Sequence, residues 1–111
     1  MNPTVLHTLP AATAGLPRTT PLSRTNGLRT LLLHLNAGEH IPEHQTPGAI
    51  TVQCLRGEAT FISGAEPFTL KPGALLAVAP AALHSVTAQQ DTLLLVTIWE
   101  PLKNDEHASV G

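Results

Sequence analysis

Two runs set the reading of this chain. In Leu31-Leu32-Leu33-His34-Leu35 and in Ile50-Thr51-Val52-Gln53-Cys54, side chains alternate between two faces with a period of two. Leu31, Leu33 and Leu35 make one apolar face and send His34 the other way. Ile50, Val52 and Cys54 share a face opposite Thr51 and Gln53. Ten prolines and eight glycines cut the chain into short apolar segments, and no stretch combines a helical period with both caps. The pattern predicts strands at 4–9, 28–36, 50–55, 59–62, 68–71, 75–79, 84–87 and 92–99. Asn26-Gly27, Ser63-Gly64 and Pro72-Gly73 supply the turn residues between them. Short strands at this spacing favour an antiparallel sandwich or closed barrel over a parallel sheet, which needs crossover helices. Leu31, Leu33, Leu35, Ile50, Val52, Leu75, Val86 and Leu95 are expected to point inward. The segment 11–25, rich in Thr, Pro and Ala, reads as an extended connection, and the polar residues 101–111 read as a flexible tail. The expected division is a strand and arm over 1–27, a barrel over 28–100 and the tail.

Size and charge narrow the classes of function. A chain of 111 residues makes one domain with a real core. Its formal net charge of −2 and its scattered Lys and Arg leave no basic stripe for nucleic acid or an anionic membrane. The longest apolar runs are strand-sized, and the N-terminus lacks a signal-peptide pattern, so a cytoplasmic location is expected. The single cysteine, Cys54, excludes an internal disulfide and fits a reducing compartment. It lies on the inward face with no clear base beside it, which favours a buried structural thiol over a nucleophile.

The chemistry is concentrated in two stretches. In GEHIPEHQTPGAITVQCLRG, Gly38 is followed after five residues by His44, and Ile50 after six residues by Gly57. In GALLAVAPAALH, Gly73 precedes His84 by eleven positions. This frame resembles the paired motifs of the cupin superfamily, whose first motif carries two histidines and a glutamate and whose second carries one histidine. The resemblance covers about residues 28–99 and implies a small single-domain, RmlC-like jelly roll, an antiparallel double-stranded β-helix. Here Thr46 stands for the second histidine and Ile50 for the glutamate, so the metal motif is degenerate and only His44 and His84 remain. Ala79, Ala81, Ala88 and Ala74 also depart from the second motif, at positions where proline, glycine, asparagine and aspartate are usual.

Two readings of His44 and His84 stand side by side. They hold a divalent ion such as Fe, Mn, Ni or Zn, as the resemblance implies, or they are pocket histidines bonded to each other, to Thr46 or to water. Two ligands are few against the four of a structural zinc site or the three of a catalytic one. Thr46, Ile50, Val52 and Gln53 are the expected pocket lining, Gln53 only if a bulge near Pro47-Gly48 reverses its parity. His40 has the parity of His44 in a regular strand but lies about 13 Å along it, too far to share an ion. His7, His34 and His107 read as surface or interface residues, and Glu39 and Glu43 as solvated. Three kinds of function follow: a metal-dependent enzyme acting on a small organic molecule, a metal-free barrel binding a small, partly apolar ligand as sensor or carrier, and a dimeric scaffold. The first is preferred because both remaining histidines fall on ligand positions. A two-fold homodimer is expected, with the strand at 4–9 added to a neighbour's sheet through Val5, Leu6 and Leu9.

Overall fold

A computed structural model describes residues 16–100. The expected strand at 4–9, with His7, and the tail with His107 lie outside them. Nine antiparallel strands follow one another: β1 (Thr19–Thr25), β2 (Leu28–Leu35), β3 (His40–His44), β4 (Ile50–Arg56), β5 (Ala59–Ser63), β6 (Glu66–Leu70), β7 (Leu75–Val78), β8 (His84–Ala88) and β9 (Thr92–Trp99). They form a five-stranded sheet in the order β1-β2-β9-β4-β7 and a four-stranded sheet in the order β3-β8-β5-β6. The described residues contain no helix, so none is long and apolar enough to cross a membrane. The all-β jelly roll expected from the alternation is the observed architecture.

Two strands were not legible in the pattern. Residues 19–25, read as part of a connection, are β1, which pairs with β2 from Thr25↔Leu28 to Thr19↔Leu33. Their mixed Thr, Pro, Ser and Arg content carries no apolar face, and a bulge between Pro21 and Ser23 breaks what alternation there is. The Asn26-Gly27 turn was legible: both residues have positive φ, 43° and 84°, as a two-residue hairpin of this hand requires. β3 was missed for a similar reason, since its sequence HIPEH is mostly exposed. The Ser63-Gly64 signal is displaced by one residue, because Ser63 still pairs with Glu66 and the loop is Gly64-Ala65.

The facing sheets bury Leu35, Cys54, Ala59, Phe61, Leu70, Val86 and Leu94 among others. Two expected inward residues face out. Leu75 is 66% exposed, because Ile50 pairs with Val78 and Val52 with Leu76, and paired residues share a face. Leu95 sits opposite Gln53 and Leu32, while its neighbours Leu94 and Val96 point inward. In both places a continuous run of leucines hides the period that a polar residue would have revealed.

Candidate functional site

The inner face of the barrel is graded along its length. At one end Leu35, Cys54, Ala59 and Ala88 are at most 1% exposed. Two strand steps away on the same faces, Leu31, Leu33, Ile50, Val52, Val86 and Val96 surround a cavity of about 180 Å³. Among the described residues its polar lining is His44, Thr46 and His84.

The bulge of β3 is what brings the two histidines together. Ile41 pairs with Val86 and His44 with His84, so three residues of β3 span two of β8. The extra residue puts Ile41 and His44 on the same inner face and turns His40 outward, where its Nδ1 lies 2.7 Å from Thr87 Oγ1. His40 therefore loses the parity a regular strand gave it. The ring centroids of His44 and His84 are 4.2 Å apart in an edge contact, and the His84 ring stacks on Phe61 at 5.5 Å. His44 is exposed, whereas His84 is 3% exposed.

Both imidazoles are fixed in the same way. His44 Nδ1 lies 3.0 Å from Pro42 O, and His84 Nδ1 lies 3.0 Å from Ala82 O. A carbonyl only accepts, so each Nδ1 carries a proton, and in the neutral form of either ring Nε2 holds the lone pair. Burial, reinforced by the neighbouring His44, lowers the pKa of His84 below its ordinary 6.5, against the opposing pull of the Ala82 carbonyl. The site thus presents lone-pair acceptors on an apolar wall.

The loops carrying the histidines are joined by the backbone. Ala81 N donates to Thr46 O at 2.8 Å. Ala81 makes this contact with φ of 63°, the conformation of the glycine that the second motif lacks. Thr46 Oγ1 donates to Gly48 O at 3.0 Å, which ties its hydroxyl to its own loop. Gly48 permits the loop to lie on β9, since a Cβ there would stand 1.5 Å from Trp99 O.

Of the expected lining, Thr46, Ile50 and Val52 border the cavity, whereas Gln53 lies on the outer face between Leu75 and Leu95. β4 is regular from Ile50 to Cys54, and its bulge comes only after Cys54. His34 does point away from the leucine face but is 3% exposed, not on the surface; its Nδ1–H donates to Leu16 O at 3.1 Å. Cys54 is fully buried, its Sγ 3.3 Å from Arg56 O, and burial raises its pKa, as a structural thiol requires.

Tested against a divalent ion, the donor chemistry is right and the donor count is short. Two imidazoles are present, Ile50 stands where the resembling motif carries a carboxylate, and among the described residues no cluster of three His, Cys, Asp or Glu exists. None of the described lining residues is an anion that could offset the lost hydration of a dipositive ion. The residues do not fit a resident metal centre.

No protein-family model and no curated protein matches the chain. Solved structures do match. A cupin superfamily protein from Desulfitobacterium hafniense DCB-2 aligns with a TM-score of 0.71 at 19% identity, over 75% of this chain and 76% of that one. KdgF from Halomonas sp. aligns with a TM-score of 0.72 at 16% identity, over 78% and 81%. An RmlC-like cupin from Shewanella frigidimarina NCIMB 400 gives 0.71 at 17% identity, over 79% and 78%.

Proposed function

Since the chain has the fold of a cupin-superfamily domain, we propose that it binds a small, largely apolar organic molecule in the barrel, with His44 and His84 accepting hydrogen bonds from the molecule's polar end. The observation that carries this is the lining: an apolar cavity whose polar groups converge at one place. A cavity of about 150 Å³ accommodates benzene. One of about 180 Å³ suits a single ring or a chain of similar bulk. Thr46, already bonded to its own loop, adds shape more than affinity.

A second reading is favoured by the two fixed imidazoles. Nδ1–H bonded to a backbone carbonyl is how metal-ligating histidines are commonly oriented. In this reading His44 and His84 hold an exchangeable Fe, Mn, Ni or Zn ion that needs donors from water and the bound molecule.

Calorimetry on untagged protein tests both. After chelation, 4-hydroxybenzyl alcohol should bind, and His44→Ala/His84→Ala should weaken it about tenfold, the cost of losing about one good hydrogen bond. Unchanged affinity in the double variant refutes the polar contact. Zinc or nickel bound by the wild type and lost in the double variant supports the second reading, and equal metal binding by both proteins refutes it.

A further inference from the structure

The inner face of β2 does not end at Leu31. Arg29 shares the parity of Leu31 and Leu33, and it pairs across the sheet with Ile98, which lines the cavity. Leu31 is a wall both of that cavity and of a neighbouring hollow formed with Thr19, Pro21 and Arg29. A second hollow, bordered by the Arg29 side chain, therefore adjoins the cavity across Leu31, on the sheet opposite the histidines and away from the sealed end.

The charges at this mouth do not cancel. Arg29 Nε lies 2.9 Å from Glu100 Oε1, and Arg24, opposite Arg29 in the β1–β2 ladder, has a guanidinium nitrogen 3.6 Å from Glu100 Oε2. Among the described residues two guanidiniums share this one carboxylate, leaving one positive charge in excess. Glu100 meets the Nε edge of Arg29 in an ion pair without hydrogen-bond geometry, and a guanidinium has four further N–H donors. The Arg29 side chain is 39% exposed, open enough for a ligand and sheltered enough for the contact to resist screening.

We infer that the molecule taken by the barrel is a small organic acid, whose carboxylate binds Arg29 at the mouth while its apolar body fills the cavity. This rests on the small-molecule reading above and adds the ligand's charge to it. His44 and His84 then meet a hydrogen-bond donor on the acid, such as a hydroxyl, because their Nε2 atoms only accept while neutral. The ligand class is an apolar hydroxy acid of about one ring. Arg29 is the residue that selects acids over neutral molecules of the same shape, since a charge-assisted contact is roughly twice as strong as a neutral one.

The test compares 3- and 4-hydroxybenzoate with the corresponding hydroxybenzyl alcohols by calorimetry at low salt. At least one acid should bind the wild type about tenfold tighter than its alcohol, with the difference shrinking as sodium chloride is added. Arg29→Gln should abolish the acid's advantage. Equal binding of acid and alcohol by the wild type overturns the inference and leaves the cavity reading standing, as does an advantage that survives Arg29→Gln. Failure of both acids and both alcohols to bind removes the cavity reading, and the inference falls with it. Should Arg29→Gln not fold, Glu100→Gln decides: removing the competing carboxylate should tighten acid binding about threefold or more. Unchanged or weaker acid binding in that variant overturns the inference.

Discussion

The two ends of the barrel are built from different materials. At the sealed end Leu35, Cys54, Ala59 and Ala88 leave at most 1% of their surface to water. At the other end the facing positions hold His44, Thr46 and Ile50 around open space, with Arg29 and Glu100 beyond. The same strands run through both. What differs is whether the alternating inward residues fill the space between the sheets or leave it for another molecule. Stability should therefore be concentrated where the chain touches only itself, and recognition where it does not.

The largest effect expected from this contrast is at the sealed end. Leu35→Ala removes a fully buried core side chain of β2, and a cavity there should cost about 2–5 kcal/mol. At the open end His44→Ala/His84→Ala empties polar lining that already borders a hollow, so it should cost less than Leu35→Ala. Urea denaturation of the variants measures this. A double-histidine variant less stable than Leu35→Ala would show that the imidazole pair is itself part of the core.

Much of this architecture was legible because alternation survives wherever apolar and polar residues take turns. Ile50-Thr51-Val52-Gln53-Cys54 fixed one inner face, and the resemblance of the glycine and histidine frame to the cupin motifs singled out His44 and His84, whose ring centroids lie 4.2 Å apart. Where leucines run together, at Leu75-Leu76 and Leu93-Leu94-Leu95, the period vanished and the faces were assigned wrongly. Where strands are polar and bulged, as in β1 and β3, they escaped notice. Arg29 was missed for a related reason: a charged residue at a strand's start reads as solvated. Its parity with Leu31 was the signal available, and it needs β2 to continue regularly through Leu28.

A smaller effect sharpens the comparison at the loop that holds His84. Ala81 has φ of 63°, where an L side chain is strained and glycine is not. Ala81→Gly should stabilise the protein by about 1 kcal/mol, the relief of strain exceeding the added freedom of the unfolded chain. Its N–H to Thr46 O bond should persist, so ligand affinity should not fall. A lower melting temperature in Ala81→Gly would mean that the left-handed turn is not what limits this loop.

The smallest expected effect separates the ends by pH. Burial favours neutral His84 and depresses its pKa below 6.5 in the folded protein. Above pH 6.5 neither folded nor unfolded chain holds the proton, and the full stability is present. As pH falls below that value the unfolded chain takes up a proton that the folded one refuses, so stability is lost until the folded pKa is reached. Glu39 acts lower: the Asn36 backbone N–H foremost, with Arg18, depresses its pKa below 4.5, and its contribution is lost as acid protonates it in the folded state. Melting temperatures of wild type and His84→Phe, followed from about pH 8 to 5, should fall more steeply for the wild type in this upper window. Ligand affinity should fall only below the folded pKa of His84, where a protonated Nε2 no longer accepts. Parallel melting curves would remove His84 as the cause, and with it the claim that the open end of the barrel answers to pH before the sealed end does.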